Sequence, residues 1–573
     1  MSDYIKMMEQ QEDILVEQIS GKNLMEYTTE IAKWARISGT KDELDSMLYC
    51  QKMLDSFGYK TELIFYPAFI SVPVKAFVEV ETPKHLSFRS LGHPFTPSTP
   101  STGLVGNIVP ISNNEVSGKI VLSKGLPSWD EVMAVEKLGA IGVIYIQDAQ
   151  LHNMPVSPIW GAPTEKTEGL IPKIPVVSIT RDDGAELERL IKQGKTSVRM
   201  ETRVDTDWCQ IPLLEANMPA ENTDKFLLFS SHIDSWDYGA MDNGAANATL
   251  IECARLLAKK QNQWKRGLRL AFWSGHSQGK FFGSAWYADH HFEELEQKCI
   301  GHVYVDSTGG KDAVVITEAP VMPQTKSLAA DVIKKQTGED FLGKRIGHYA
   351  DQSFYGVGLT SLFGTFSEQD ADKNMDVLSF KMGETKRAGG LGWWWHTEHD
   401  TMEIIDKSYL VRDTKIYLAV IWRLLTKPVL PYDFCAAVDE MEQTATDLSK
   451  KLNGIFDMSL MITRIQKLKQ ATEEFYKKTE QIRAASTEAD EANEIMLKLS
   501  HKLVRVMFHD NNCFDFDLSG EMFPIPSLVD GEKLIGCPKG SHRYYVLKTQ
   551  LQRGYNRVMH YLAEAIDILA EAK

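Results

Sequence analysis

The sequence predicts an α/β protein with a mainly parallel sheet and helices on both of its faces, interrupted by a strand-rich insertion and followed by a helical domain. Three observations predict it. From about 205 to 425, buried-type strands (FLLFSS, LRLAFWS, HVYVD) alternate with helices such as ANATLIECARLLAKK, whose apolar residues recur at spacings of three and four. Between about 80 and 205 the chain turns to short strands and turns, and beyond about 430 to long helical stretches. These shifts divide the 573 residues into 1–79, an N-terminal helical part of the α/β domain; 80–205, the insertion; 206–428, the main α/β domain; and 429–573, the helical domain.

The elements follow in order. Residues from about 22 to 60 read as helix, with Leu44, Met47, Leu48, Met53 and Leu54 as its apolar residues and Gly58 as its stop. The alternation in VKAFVEVET marks a strand. VSGKIVL at 116–122 and LGAIGVIYI at 138–146 are apolar strands, the second preceded by the helix WDEVMAVEK. Near the C-terminus, Leu448, Leu452, Ile455, Ile462, Ile465 and Leu468 form a helix-packing stripe, and a last helix covers the 544–571 region.

Composition narrows the function. Hydrophobic content of 43% and charged content of 25% permit a sizeable core. A formal net charge of -15 argues against nucleic acid as a partner, which requires clustered Lys and Arg. No run approaches the roughly 20 apolar residues of a membrane span. The opening MSDYIKMMEQQEDILVEQ has no apolar signal core, and the seven cysteines are scattered without a CxxC pair. A cytoplasmic protein with reduced thiols and no Cys-type zinc site is expected.

Chemistry concentrates in SHIDSWDYGAMDNGAANA, residues 231–248. His232 ends an apolar strand, Asp234 follows closely, and Asp242 precedes the Asn-Gly that opens the next helix. Imidazole and carboxylate together suit zinc or a similar first-row divalent metal. Asp234 is suited to receive the other ring N–H of His232 and fix its tautomer. The strand HVYVD then ends in Asp306, and WWWHTEHDT sets His396 behind three tryptophans.

HxDSWxxGxxD, a strand ending in VDS, and HTxxDT resemble the metal-site motifs of the zinc aminopeptidase and glutamate carboxypeptidase II family, and DSW with the trailing helices is closest to its glutamate carboxypeptidase and transferrin receptor branch. The resemblance implies a zinc-peptidase type of sheet, a protease-associated domain at 80–205, and a homodimer made by the C-terminal helices. It implies that His232 and Asp306 bind one metal, that Asp242 bridges to a second held by His396, and that Asp234 orients the site from behind.

One departure weighs against an ordinary peptidase. The family's Glu-Glu pair, a general base and a metal ligand, falls within LAFWSGHSQGKFFGS. Depending on the anchor, His276–Ser277 or Ser277–Gln278 stands there, and no carboxylate occurs between Glu252 and Asp289. His276 is the candidate base; it equally suits a replacement metal ligand, or a residue filling a disused site. With one Glu ligand missing, one divalent ion is expected rather than two. Asp351, Gln352, Trp395 and Arg387 are candidates for contact with a small-molecule or peptide substrate, Trp395 as part of an aromatic wall. The expected function is hydrolysis of an amide or related C–N bond with a non-standard base. Metal-dependent lyase chemistry and a non-catalytic binding protein are the alternatives.

Overall fold

The computed structural model describes residues 2–370, 390–479, 482 and 487–571. Four parallel strands, Gly267–Trp273, Phe226–His232, Cys299–Tyr304 and Ser361–Leu362, lie side by side in that order. The first three are buried along their whole length, as the unbroken apolar runs require when helices cover both faces.

Two long antiparallel strands, Lys60–Thr82 and Ser197–Met218, run through the molecule as one ribbon. Near Met218 the second pairs with Gly267–Trp273; near Ser197 it pairs with Leu104–Pro110. From there a second parallel stack continues through Ile120–Lys124, Gly142–Ile146 and Val176–Ile179. The boundaries expected at 79/80 and 205/206 therefore fall inside the ribbon, where the texture of the sequence changes but the backbone pairing continues.

The N-terminal helix read over 22–60 is two helices, Gly21–Ala32 and Lys41–Ser56, separated by a turn. In the second, Leu48 is 42% exposed and Glu43 is buried, contrary to the apolar reading. Glu43 belongs inside because its carboxylate accepts the N–H of Gly39 at 2.7 Å. The helix Ala246–Ala258, expected to be amphipathic, is buried on nearly all sides. The helices Gly21–Ala32 and Lys407–Thr426 pack against it. Its buried Glu252 is matched by Arg255 at 2.6 Å and by the N–H of Ser20 at 2.8 Å.

The stripe from Leu448 to Leu468 is shared by two helices, Phe434–Lys451 and Ser459–Thr479, and the chain turns between them. With Thr487–Phe508 and His542–Glu571 they complete the helical region. Among the described residues no helix is long and apolar enough to cross a membrane.

Candidate metal centre

The site forms at the carboxyl ends of the parallel strands, where ligands of such sheets gather. His232 is the last residue of its strand, Asp306 lies two residues beyond Tyr304, and His276 sits in the loop after Trp273. Asp242 lies in the turn 240–245 that leads into the helix Ala246–Ala258. His396 enters from a loop with a left-handed backbone (φ 59°).

His232 Nδ1 lies 2.9 Å from the carbonyl oxygen of Asp234, and His396 Nδ1 lies 2.7 Å from that of Asn153. A carbonyl only accepts, so each Nδ1 carries the proton and a neutral ring presents a lone pair at Nε2. Those two Nε2 atoms face one carboxylate: His232 Nε2 is 3.1 Å from Asp242 Oδ1, and His396 Nε2 is 3.1 Å from Asp242 Oδ2. Asp306 Oδ2 lies 3.7 Å from His232 Nε2. Despite these neighbours, His232 Nε2 is buried without an aligned hydrogen-bond partner among the described residues. Lone pairs aimed at carboxylates repel unless positive charge lies between them, so the donor set fits a divalent cation.

The electrostatics show how strongly the surrounding carboxylates favour a positive charge at this point. Burial alone would lower the pKa of His232, but Asp234, Asp242 and Asp306 hold it well above its ordinary value. Burial alone would raise that of Asp242, yet His232 and His396 keep it well below the usual carboxylate range.

His276 stacks on His232, with ring centroids 3.7 Å apart and planes 9° from parallel. Its Nδ1 bonds Asp351 Oδ2 at 2.8 Å, which leaves Nε2 for the centre. Ligand atoms of His232, His276 and Asp306 lie within 4.8 Å of one another.

Two expected roles change. Asp351 is fully buried and does not line the cavity: its oxygens take the hydroxyls of Ser284 at 2.6 Å and Tyr304 at 3.0 Å as well as His276. It positions His276. The carboxylate of Asp234 is 3.7 Å from His232 Nδ1, and the backbone carbonyl of the same residue makes the shorter contact. That carboxylate instead accepts the N–H groups of His276 at 3.2 Å and Ser277 at 2.7 Å, and so fixes the loop. Gln278 turns away, accepting from Ser38 and donating to the carbonyl of Ser235. Gln352 and Trp395 do line the cavity, Trp395 stacked on His396 at 3.6 Å. Arg387 lies outside the described residues. The whole cavity measures about 830 Å³ and includes Asp242, His276, Asp306 and His396 in its wall.

Of the residues that support the centre, Asp400 is legible from its place in HTxxDT as a support for the loop, whereas Asn243 and Arg36 carry no such signal. Asp400 accepts the N–H groups of Met241 at 2.7 Å and Asp242 at 3.0 Å. Asn243 takes the N–H of Ser307 at 2.9 Å and ties the Asp306 loop to the Asp242 turn. Arg36, fully buried, donates to the carbonyls of Ile31, Ile233, Trp34, Tyr238 and Gly239. Burial draws its guanidinium down to about 10, opposed by Asp400, Asp234 and Asp242. Replacing it (Arg36→Met) leaves those carbonyls without a donor and is expected to cost about 3–5 kcal/mol, read as a lower unfolding midpoint.

Gly239 turns the same loop with a left-handed φ of 47°, and an added Cβ would overlap the carbonyl oxygen of Asp242 and the Cβ of Ser235. Gly239→Ala is therefore expected to cost about 2 kcal/mol or more and to weaken metal binding, measured by melting and by metal titration.

Residues 214–421 match the Peptidase family M28 model, and residues 94–187 match that of the PA domain. The probable glutamate carboxypeptidase AMP1 of Arabidopsis thaliana is 21% identical over 528 residues, covering 78% of this chain and 74% of its own length. The probable glutamate carboxypeptidase VP8 of Zea mays is 25% identical over 272 residues, 46% of this chain and only 37% of that protein. Carboxypeptidase Q of Xenopus laevis is 23% identical over 57% of this chain and 69% of its own. Among solved structures, a peptidase M28 precursor from Shewanella amazonensis superposes with a TM-score of 0.57 at 18% identity, over 74% of this chain and 96% of its own. The zinc aminopeptidase BSAP from Bacillus subtilis gives 0.55 at 18%, over 71% and 96%.

Proposed function

We propose that this chain, which joins a peptidase family M28 domain to a PA domain, is a metal-dependent hydrolase that cleaves an amide or related C–N bond of a small substrate or peptide, with His276 as its base. The single observation behind the reading is the pair of imidazole lone pairs, from His232 and His396, directed at the two oxygens of Asp242. His232, Asp242, Asp306 and His396 would hold the ion, and imidazole with carboxylate suits zinc. The absence of a Glu in the loop after Trp273 favours one ion over two. A divalent ion bound there supplies Lewis acidity and lowers the pKa of a water.

The chain's own residues do the rest. Asp351 accepts from His276 Nδ1 and keeps the lone pair on Nε2, which faces the centre. From there His276 takes a proton from the attacking water and returns it to the leaving nitrogen. Asp351 also favours the imidazolium formed in between, as a buried carboxylate should.

A second reading is favoured by the stacking on His232: His276 as a metal ligand. His276→Ala separates the two, because a base leaves metal content unchanged and a ligand does not. Hydrolysis itself is tested in isotopically labelled water. Solvent oxygen in the product is expected, and its absence would point to lyase or other non-hydrolytic chemistry.

A further inference from the structure

A buried hydroxyl links the metal centre to the residue that holds His276. Tyr304, the last residue of its strand, is fully enclosed, and its hydroxyl lies 3.0 Å from Asp306 Oδ2 and 3.0 Å from Asp351 Oδ2. Both oxygens also serve the centre. Asp306 Oδ2 is the one that faces His232 Nε2 at 3.7 Å, and Asp351 Oδ2 accepts the ring N–H of His276 at 2.8 Å. A phenol carries one proton, and an ionised carboxylate only accepts. Tyr304 can therefore give one carboxylate a full hydrogen bond, or share a weaker one between the two.

The surrounding contacts fix the polarity at Asp351. Trp160 Nε1–H, which can only donate, reaches Ser353 Oγ at 2.8 Å. Ser353 Oγ lies 2.7 Å from Ser284 Oγ, and Ser284 gives its hydroxyl to Asp351 Oδ1 at 2.6 Å. The donor order thus starts at the indole and ends on Asp351, which has no proton to return. Asp306 has a donor of its own on the other oxygen, the hydroxyl of Ser307 at 3.0 Å. The proton of Tyr304 is the one with a choice between the two carboxylates, and the charge beside Asp306 Oδ2 decides it. An oxygen that gives a lone pair to a cation is a poorer acceptor, whereas Asp351 keeps its full charge.

We infer that Tyr304 is a positioning residue whose hydrogen bond passes from Asp306 to Asp351 when the centre takes up its ion, so that metal occupancy and the setting of the His276 ring are linked. The inference rests on the metal centre proposed above and not on the bond that the centre cleaves. In the metal-free chain the hydroxyl satisfies the enclosed Asp306 oxygen. In the loaded chain it becomes a second donor to the oxygen that orients His276, and no buried hydroxyl is left unpaired by the exchange.

The test is a double-mutant cycle on zinc affinity. The full chain is freed of metal by dialysis and titrated with zinc in competition with a chromophoric chelator, and the four proteins are the parent, Tyr304→Phe, Asp351→Asn and the double variant. In Asp351→Asn the Tyr304 hydroxyl has lost its second carboxylate, so zinc binds Asp306 only at the expense of that hydrogen bond. The fall in zinc affinity caused by Asp351→Asn is therefore expected to be about tenfold greater in the parent than in the Tyr304→Phe background. Effects of Asp351 through its charge, or through His276 as a ligand, are common to both backgrounds and cancel in the cycle. A merely structural hydroxyl would lower the melting temperature of Tyr304→Phe without producing this coupling. Equal effects of Asp351→Asn in the two backgrounds, with zinc still bound by the parent, overturn the inference and leave the metal centre standing. A parent that takes up no zinc removes both. Should Tyr304→Phe or Asp351→Asn fail to fold, Tyr304→Leu and Asp351→Ala enter the same cycle and are judged by the same outcomes.

Discussion

Replacing Asp242 by asparagine is expected to strip the metal and lower turnover on the order of a thousandfold. Both imidazole Nε2 atoms address this one side chain, through different oxygens, so it is the group that unites the two halves of the centre. An amide keeps the shape but lacks the negative charge, and one of its two positions becomes a donor. Asp400 would still hold the backbone of residues 241 and 242, so the fold should survive while the centre fails. A loss of about 4 kcal/mol of transition-state stabilisation corresponds to that factor, within what a metal supplies. Metal analysis and kcat/KM on the same preparation check it.

The second large effect is expected at His276. His276→Ala should lower kcat by roughly a hundred- to ten-thousandfold, the range of a general base, while metal content and KM change little. Asp351→Asn should reproduce much of the loss without touching the cavity wall, because an amide can donate to Nδ1 and move the ring proton to Nε2. If Asp351→Asn leaves kcat unchanged, the contact at 2.8 Å does not set the tautomer.

Part of this centre was legible in the sequence because its parts sit at points that local rules mark. His232 and Asp306 terminate apolar strands, and Asp242 precedes the turn into a helix. His396 was marked only by its motif. What could not be read is what those residues lean on. Asp351 is separated from His276 by 75 residues, and only the packed loops reveal that it faces the ring and not the cavity. Arg36 meets Gly239 across 203 residues, and nothing in its neighbourhood announces a guanidinium that holds five carbonyls. The spacing of Asp234 from His232 suggests a carboxylate partner, because spacing cannot distinguish a side chain from the carbonyl of the same residue.

The fold shows the same division. Alternating strands and helices foretold the parallel stack, since each buried strand advertises itself by an unbroken apolar run. The ribbon of Lys60–Thr82 and Ser197–Met218 was less legible: its register is fixed by pairing between segments more than a hundred residues apart, and its composition changes midway while its backbone does not.

The central claim is that His232, Asp242, Asp306 and His396 form a metal centre, and the most direct measurement is the zinc content of the full chain purified without chelators, taken beside that of Asp242→Asn. About one equivalent is expected in the parent, with loss of that ion in the variant. A parent protein that is empty and takes up no zinc on titration, or a variant that retains its full complement, would contradict it.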